Sequence, residues 1–237
     1  MPHNAKDGPN LASPAGRRVA FFGGSFDPPH AGHLAIARAA RDTLQLSTIL
    51  FAPVGLQPLK PDGPSASFAD RFAMTQLAIS GESSFQVTRA DAPNNTPNYT
   101  IDTLLSLSAR LSPDDILYLL LGADSFRTLP RWHLAAEIPF AARLVVASRP
   151  GEEISCPSAG LPEGILADPA AEPNHFLLHN ASGRSSELVF LPGLHYEISA
   201  TELRRQMQQD TSPASYTGPQ LIAPAVLDYI RRHHLYR

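Results

Sequence analysis

The sequence predicts a doubly wound α/β fold, built on a mostly parallel sheet and closed by C-terminal helices. Two observations carry that expectation. Short apolar runs alternate along the chain with segments whose apolar residues recur at helical spacing, the pattern of βαβ units. The first run also ends in Gly23-Gly24 just before a helix start, and open sheets of this kind bind ligands at the carboxyl ends of their strands. Right-handed crossovers then put helices on both faces.

The elements follow in order. Residues 18–22 form a short apolar strand closed by Gly23-Gly24. A helix spans 31–44, where Leu34, Ala37, Ala40 and Leu44 share one face. A buried strand, 48–54, leads through a Pro/Gly-rich loop, 55–67, to a helix at 68–79 with Asp70 and Arg71 near its start. A strand at 85–89, a polar loop at 91–98 and a helix at 100–110 come next. The strongly apolar strand 116–121 stops at Gly122. A helical stretch at 125–138 is broken around Pro130, and a strand follows at 143–147. Residues 150–186 are Pro-rich and poorly periodic, so they read mainly as excursion loops. A last strand at 188–191 precedes helices at 200–208 and 223–234. Residues 1–16 are polar with Pro and Gly and read as a disordered tail, leaving 17–237 as one domain. No internal repeat is visible.

The chain has 237 residues, enough to bury a sizeable core. Its formal net charge of −3 gives no general attraction to nucleic acid or anionic membrane, so phosphate chemistry must rest on a local basic cluster. The single cysteine, Cys156, cannot form an internal disulfide. No apolar run approaches a membrane span, and the first residues lack the apolar core of a signal peptide. A cytoplasmic protein is expected. The oligomeric state is open, a homodimer being one of the alternatives.

The chemistry starts at Gly23-Gly24-Ser25-Phe26-Asp27-Pro28-Pro29-His30-Ala31-Gly32-His33. The glycines are expected to let the backbone turn sharply and approach a ligand. A helix N-terminus presents free N–H groups and a positive dipole end to an anion. His30 and His33 are three apart and so share a helix face. Beside a triphosphate they would donate hydrogen bonds and bear positive charge. Two surface histidines, or two ligands of a metal, would show the same spacing, although no Cys/His cluster completes a zinc site. The stretch is neither the dinucleotide fingerprint nor a P-loop. Near the far end, Ile198-Ser199-Ala200-Thr201-Glu202-Leu203-Arg204-Arg205 reads as a helix start, with Ser199 as N-cap and Glu202 completing a capping box. The same geometry offers hydroxyls and a guanidinium to an anion. Arg205 reads as solvated.

The two stretches together resemble the paired motifs of the nucleotidylyltransferase superfamily: Gly-Gly-Ser/Thr-Phe-Asp-Pro with His-x-Gly-His after an N-terminal strand, and Ile-Ser-x-Thr-x-x-Arg near the far end. The resemblance runs from about residue 18 to 237 and implies a Rossmann-like nucleotidylyltransferase fold. It implies that His30, His33 and Arg204 are the catalytic residues, on the phosphates of ATP. Gly23, Gly24, Ser25, Phe26, Ile198, Ser199 and Thr201 would surround the nucleotide. Gly122 and Asp124 stand at a strand end, where ligands of open sheets bind, so Gly122 is a nucleotide-site candidate and Asp124 could accept hydrogen bonds from the nucleotide's ribose or simply cap the next helix.

The middle of the chain bears on the acceptor. Trp132, the only tryptophan, lies in Leu129-Pro130-Arg131-Trp132-His133 at a helix start. A flat aromatic there could stack on a pyridine ring, or simply belong to the core. With Thr96-Pro97-Asn98-Tyr99-Thr100-Ile101-Asp102-Thr103-Leu104, this segment is similar to bacterial nicotinate-nucleotide adenylyltransferases. That resemblance implies Trp132 stacked on the nicotinate ring, with Tyr99, Thr100 and His133 around its carboxylate. It also implies Lys60 near the phosphates, and it extends to the ending Tyr229-Ile230 through Leu235-Tyr236-Arg237. Leu59 and Pro29 depart from the residues common in that family, His and Ile. The implied reaction transfers AMP from ATP to nicotinate mononucleotide, with Mg²⁺ carried on the ATP phosphates and no metal ligand from the protein. Nicotinamide mononucleotide and phosphopantetheine are the alternative acceptors. A non-catalytic nucleotide sensor is the alternative of another class.

Overall fold

The computed structural model describes residues 16–55, 63–94, 97–148, 156–191, 199–209 and 221–237. Arg18–Gly24 forms β1, followed by α1 (Ala31–Leu44), β2 (Thr48–Pro53), α2 (Phe68–Ile79) and β3 (Phe85–Val87). After α3 (Thr100–Ser108) come β4 (Ile116–Gly122), α4 (Ala123–Thr128) and α5 (Ile138–Ala141). The chain continues through β5 (Arg143–Ala147), β6 (Ile165–Pro169), β7 (His175–Asn180) and β8 (Ser185–Leu191) to α6 (Ala200–Gln209) and α7 (Pro224–Arg232).

All eight strands form one sheet in the order β3-β2-β1-β4-β5-β8-β7-β6. Pairing is parallel from β3 to β8 and antiparallel at β8–β7 and β7–β6. The winding reverses between β1 and β4, which is where a doubly wound sheet opens its cleft. Strand ends are level there: Gly24 pairs with Pro53, Gly122 with Ala147, and Ala147 with Leu191.

Alternation along the strands builds the two layers. Val19, Phe21, Leu117, Leu119, Leu121, Leu144, Val146, Leu188 and Phe190 pack with α3, α4 and α5 on one face. Their neighbours Ala20, Phe22, Tyr118, Leu120, Val145, Ala147, Val189 and Leu191 pack with α1 on the other. Strands covered on both faces read as continuous apolar runs, which is why they were legible. A third cluster joins Met74 of α2, Leu203 of α6, Val226 and Ile230 of α7, and Tyr236.

Four expectations need adjustment. Within 150–186 the described residues include β6, β7 and the start of β8, a hairpin extension rather than loops. Leu178 is fully buried and packs on the core with Phe176, while Leu166 and Leu177 face outward. Apolar runs of only three residues, as in Phe176-Leu177-Leu178, are too short to signal a strand. Residues 1–15 of the expected tail lie outside the described residues, but Gly16 is fixed: a Cβ there would fall 1.7 Å from the Asp114 carbonyl oxygen. Its neighbour Arg17 pairs with Asp115 at 2.6 Å. The stretch 125–138 divides into α4, two 3-10 turns and α5, and the last helix ends at Arg232.

Candidate active site

β1 carries straight through Gly23 and Gly24, so the glycines do not make the turn. The turn falls on Phe26, whose φ is 48°. Glycine is needed for closeness instead: a Cβ on Gly24 would lie 3.1 Å from the Phe26 ring. Phe26 is thereby folded back into the core, edge-on to Phe22 at 5.5 Å. His33 packs edge-on against Phe26 at 4.9 Å, and the His30 and His33 rings lie 3.8 Å apart at 33°. The His30 backbone N–H donates to His33 Nδ1 at 3.2 Å. In the neutral ring this places the proton on Nε2. The two histidines thus sit together over the first turn of α1, at the carboxyl edge of β1.

The other end of the chain closes on the same loop. Arg204 Nη1 donates to the Asp27 main-chain oxygen at 2.7 Å and lies 3.7 Å from Asp27 Oδ2. Arg204 Nη2 donates to Thr201 Oγ1 at 3.2 Å. The Asp27 side chain is almost fully buried. Its Oδ2 accepts the Ser65 N–H at 2.6 Å, and its Oδ1 accepts the Ala66 N–H at 3.1 Å and the Tyr236 hydroxyl at 2.6 Å. Burial and the Asp27 carboxylate together push the Tyr236 phenol far above its ordinary range.

Arg71 braces the loop from beneath. It is 2% exposed and donates to the carbonyls of Ser25 (2.7 Å), Val54 (2.7 Å) and Ala66 (3.2 Å). Burial lowers its pKa, opposed by Asp27 and Tyr236. Ser199 is exposed at the start of α6 and its carbonyl accepts the Leu203 N–H. The Glu202 carboxylate accepts from Arg205 and Gln206, which hold its pKa down to about 2. Arg205 is exposed, as expected, but ion-paired rather than merely solvated.

The segments expected to meet the acceptor also come together. Tyr99 caps α3, Thr100 is its first residue, and the Tyr99 ring lies 4.2 Å from the His133 ring at 31°. Trp132 is half-buried; one side packs on the core, and Nε1 lies 3.4 Å from Thr128 Oγ1. Gly122 ends β4, and Asp124 is exposed in the first turn of α4, 3.6 Å from Arg127. Lys60 and Ile198 lie outside the described residues.

Four residues escaped the reading of the sequence as site components. Asp27 stood inside the first motif, Arg71 near the start of a helix, and Tyr236 in the matched ending. Asp91, the fourth, is 5% exposed and accepts the Thr103 hydroxyl at 2.6 Å, with burial raising its pKa. No local pattern separates such residues from ordinary loop acids or helix-start arginines.

Among the described residues no group of three His, Cys, Asp or Glu side chains is placed to hold a metal ion. None of the helices is long and apolar enough to cross a membrane, again among the described residues.

The arrangement has clear relatives. The cytidylyltransferase-like family model matches residues 21–206. A probable nicotinate-nucleotide adenylyltransferase of Chromobacterium violaceum is 38% identical over 220 residues, covering 93% of this chain and 99% of the relative. One of Laribacter hongkongensis, similarly named, is 36% identical, covering 92% and 94%. Among solved structures, the Plasmodium falciparum nicotinic acid mononucleotide adenylyltransferase complexed with NaAD superposes with a TM-score of 0.67 at 18% identity, covering 93% of this chain and 97% of that one. The same enzyme complexed with APC gives 0.68 at 17% identity, with the same coverage. These two likenesses speak for the fold, and the closer bacterial sequences for the family. The chain belongs to the cytidylyltransferase-like family and, within it, to the nicotinate-nucleotide adenylyltransferases.

Proposed function

We propose that residues 17–237 act as one domain that transfers AMP from ATP to nicotinate mononucleotide, giving deamido-NAD and pyrophosphate in a cytoplasmic NAD-synthesis step. One observation carries the reading: Arg204 reaches across 177 residues of sequence to the loop that holds His30 and His33. Cationic and N–H donors from both ends of the chain thereby face one cleft edge.

The acceptor's phosphate oxygen attacks the α-phosphorus of ATP. A new P–O bond forms, the bond from the α-phosphorus to the β-phosphate oxygen breaks, and pyrophosphate leaves with that electron pair. A phosphate monoester has a second pKa near ~6, so the nucleophile is already an anion at neutral pH and requires no base. The obstacle is the meeting of two polyanions. His30, His33, Arg204 and the first turn of α1 would supply hydrogen bonds and positive charge where negative charge accumulates on the leaving group. Lys60 would add a further cation. ATP enters as its magnesium complex, the ion held by phosphate oxygens.

Gly23, Gly24, Ser25 and Phe26, with Gly122, Asp124, Ile198, Ser199 and Thr201, would border the nucleotide. Trp132, supported on one side by the core, leaves a flat surface for the pyridine ring, and Tyr99, Thr100 and His133 would border its carboxylate. The experiment is ATP labelled at the α-phosphorus, mixed with nicotinate mononucleotide and followed by chromatography. Label should move into a dinucleotide; label appearing only in AMP would overturn the reading.

A further inference from the structure

The segment after α6 makes contacts beyond packing. α7 is anchored on α2 by Val226 and Ile230, both buried, and by the Tyr229 hydroxyl, which donates to Asp70 Oδ1 at 3.0 Å. The Leu221 carbonyl accepts the Ala31 N–H, in the first turn of α1, at 2.7 Å. Tyr236 then turns back at φ 60° and buries its ring beside Met74 and Leu203. Its hydroxyl reaches Asp27 Oδ1 at 2.6 Å.

We infer that Tyr236 is a positioning residue for the phosphate site, acting through Asp27 on Arg204. The inference rests on the functional reading above. Asp27 touches Arg204 twice over: closely through its main-chain oxygen at 2.7 Å, and more distantly through its carboxylate at 3.7 Å. The difference matters. A buried carboxylate with unfilled acceptor positions is drawn to the nearest cation. Here three donors occupy it, from Ser65, Ala66 and Tyr236. The Tyr236 hydroxyl and the Ala66 N–H hold Oδ1 while the Ser65 N–H holds Oδ2, which fixes the carboxylate with Oδ2 3.7 Å from Arg204, beyond a direct bond. The guanidinium stays on the main-chain oxygen and on Thr201, with 23% of its side chain exposed for an incoming phosphate. Without the hydroxyl, Asp27 competes with ATP for Arg204.

The test is a double-mutant cycle on the full chain, reading ATP affinity by calorimetry beside the thermal unfolding midpoint. Tyr236→Phe keeps the buried ring and removes only the hydroxyl. It should weaken ATP binding about tenfold in the parent background and hardly at all in Arg204→Ala, a coupling of ~1.4 kcal/mol. Tyr229→Phe removes a hydroxyl–carboxylate bond of the same kind from α7, a few residues earlier in the chain. It should lower the midpoint and leave ATP affinity unchanged. An equal loss from Tyr236→Phe in both backgrounds, or no loss at all, overturns the inference. So does a loss from Tyr229→Phe as large as that from Tyr236→Phe, because both would then be acting through stability. If the parent binds ATP but transfers AMP to no acceptor, the functional reading fails, and the cycle still decides the role of Tyr236.

Discussion

At the scale of single residues, the site separates groups that face the cleft from groups that hold them. His33 is proposed to be of the first kind: its Nδ1 is tied to the His30 backbone, which in the neutral ring places the proton on Nε2. His33→Ala should lower kcat by ~10²–10³ while leaving the unfolding midpoint within a few degrees, as for the loss of one donor to developing charge. Steady-state rates beside thermal melts check this, and near-normal turnover would remove His33 from the mechanism. Arg71 belongs to the second kind. One guanidinium satisfies three carbonyls from three segments. Lysine keeps the charge but not the planar fork. Arg71→Lys should therefore destabilise the fold by ~3 kcal/mol in denaturant titrations, since charged hydrogen bonds are lost and buried acceptors left behind. Both histidines were legible because they stand in a dense motif. Arg71 was not, because its value comes from carbonyls brought together only by folding.

At the scale of elements, Asp91 joins the loop before α3 to the rest of the cleft. Its main-chain oxygen accepts the Gly55 N–H at 2.8 Å, and its carboxylate accepts the buried Thr103 hydroxyl. Burial raises the Asp91 pKa, with the Thr103 hydrogen bond opposing. A carboxyl whose folded pKa exceeds its unfolded value of ~3.9 contributes its full stability below that value. The contribution is lost as pH rises through the folded pKa. Asp91→Asn keeps an acceptor for Thr103 and removes the ionisation, so at pH 7 it should be at least as stable as the parent, with a flatter stability profile above pH 4. Asp91→Ala strands the Thr103 hydroxyl and should cost ~1–2 kcal/mol at any pH. Unfolding midpoints measured from pH 4 to 8 check both. Elements with a strong apolar signal were read to the residue: α1, α2 and β5 have the expected bounds. The hairpin β6–β7 was missed because its apolar runs, Ile165-Leu166-Ala167 and Phe176-Leu177-Leu178, are only three residues long and neither alternate nor repeat at helical spacing.

At the scale of the whole molecule, a chain of net charge −3 must bind two polyanions. Distant segments meet in the loop before α1, where α6 and the segment after α7 converge on Asp27. The sequence disclosed the two motifs and the sheet that could bring them together. It did not disclose the buried carboxylate between them, since Asp27 looks like any loop aspartate until Ser65, Ala66, Tyr236 and Arg204 surround it. The central claim is that this convergence serves adenylyl transfer to nicotinate mononucleotide. The most direct measurement is pyrophosphate release by the purified chain with ATP and Mg²⁺, with nicotinate mononucleotide, nicotinamide mononucleotide and phosphopantetheine offered separately. Release that depends on nicotinate mononucleotide and is at least tenfold weaker with the other two is the expected result; release driven by another acceptor, or by none in folded protein that binds ATP, would contradict it.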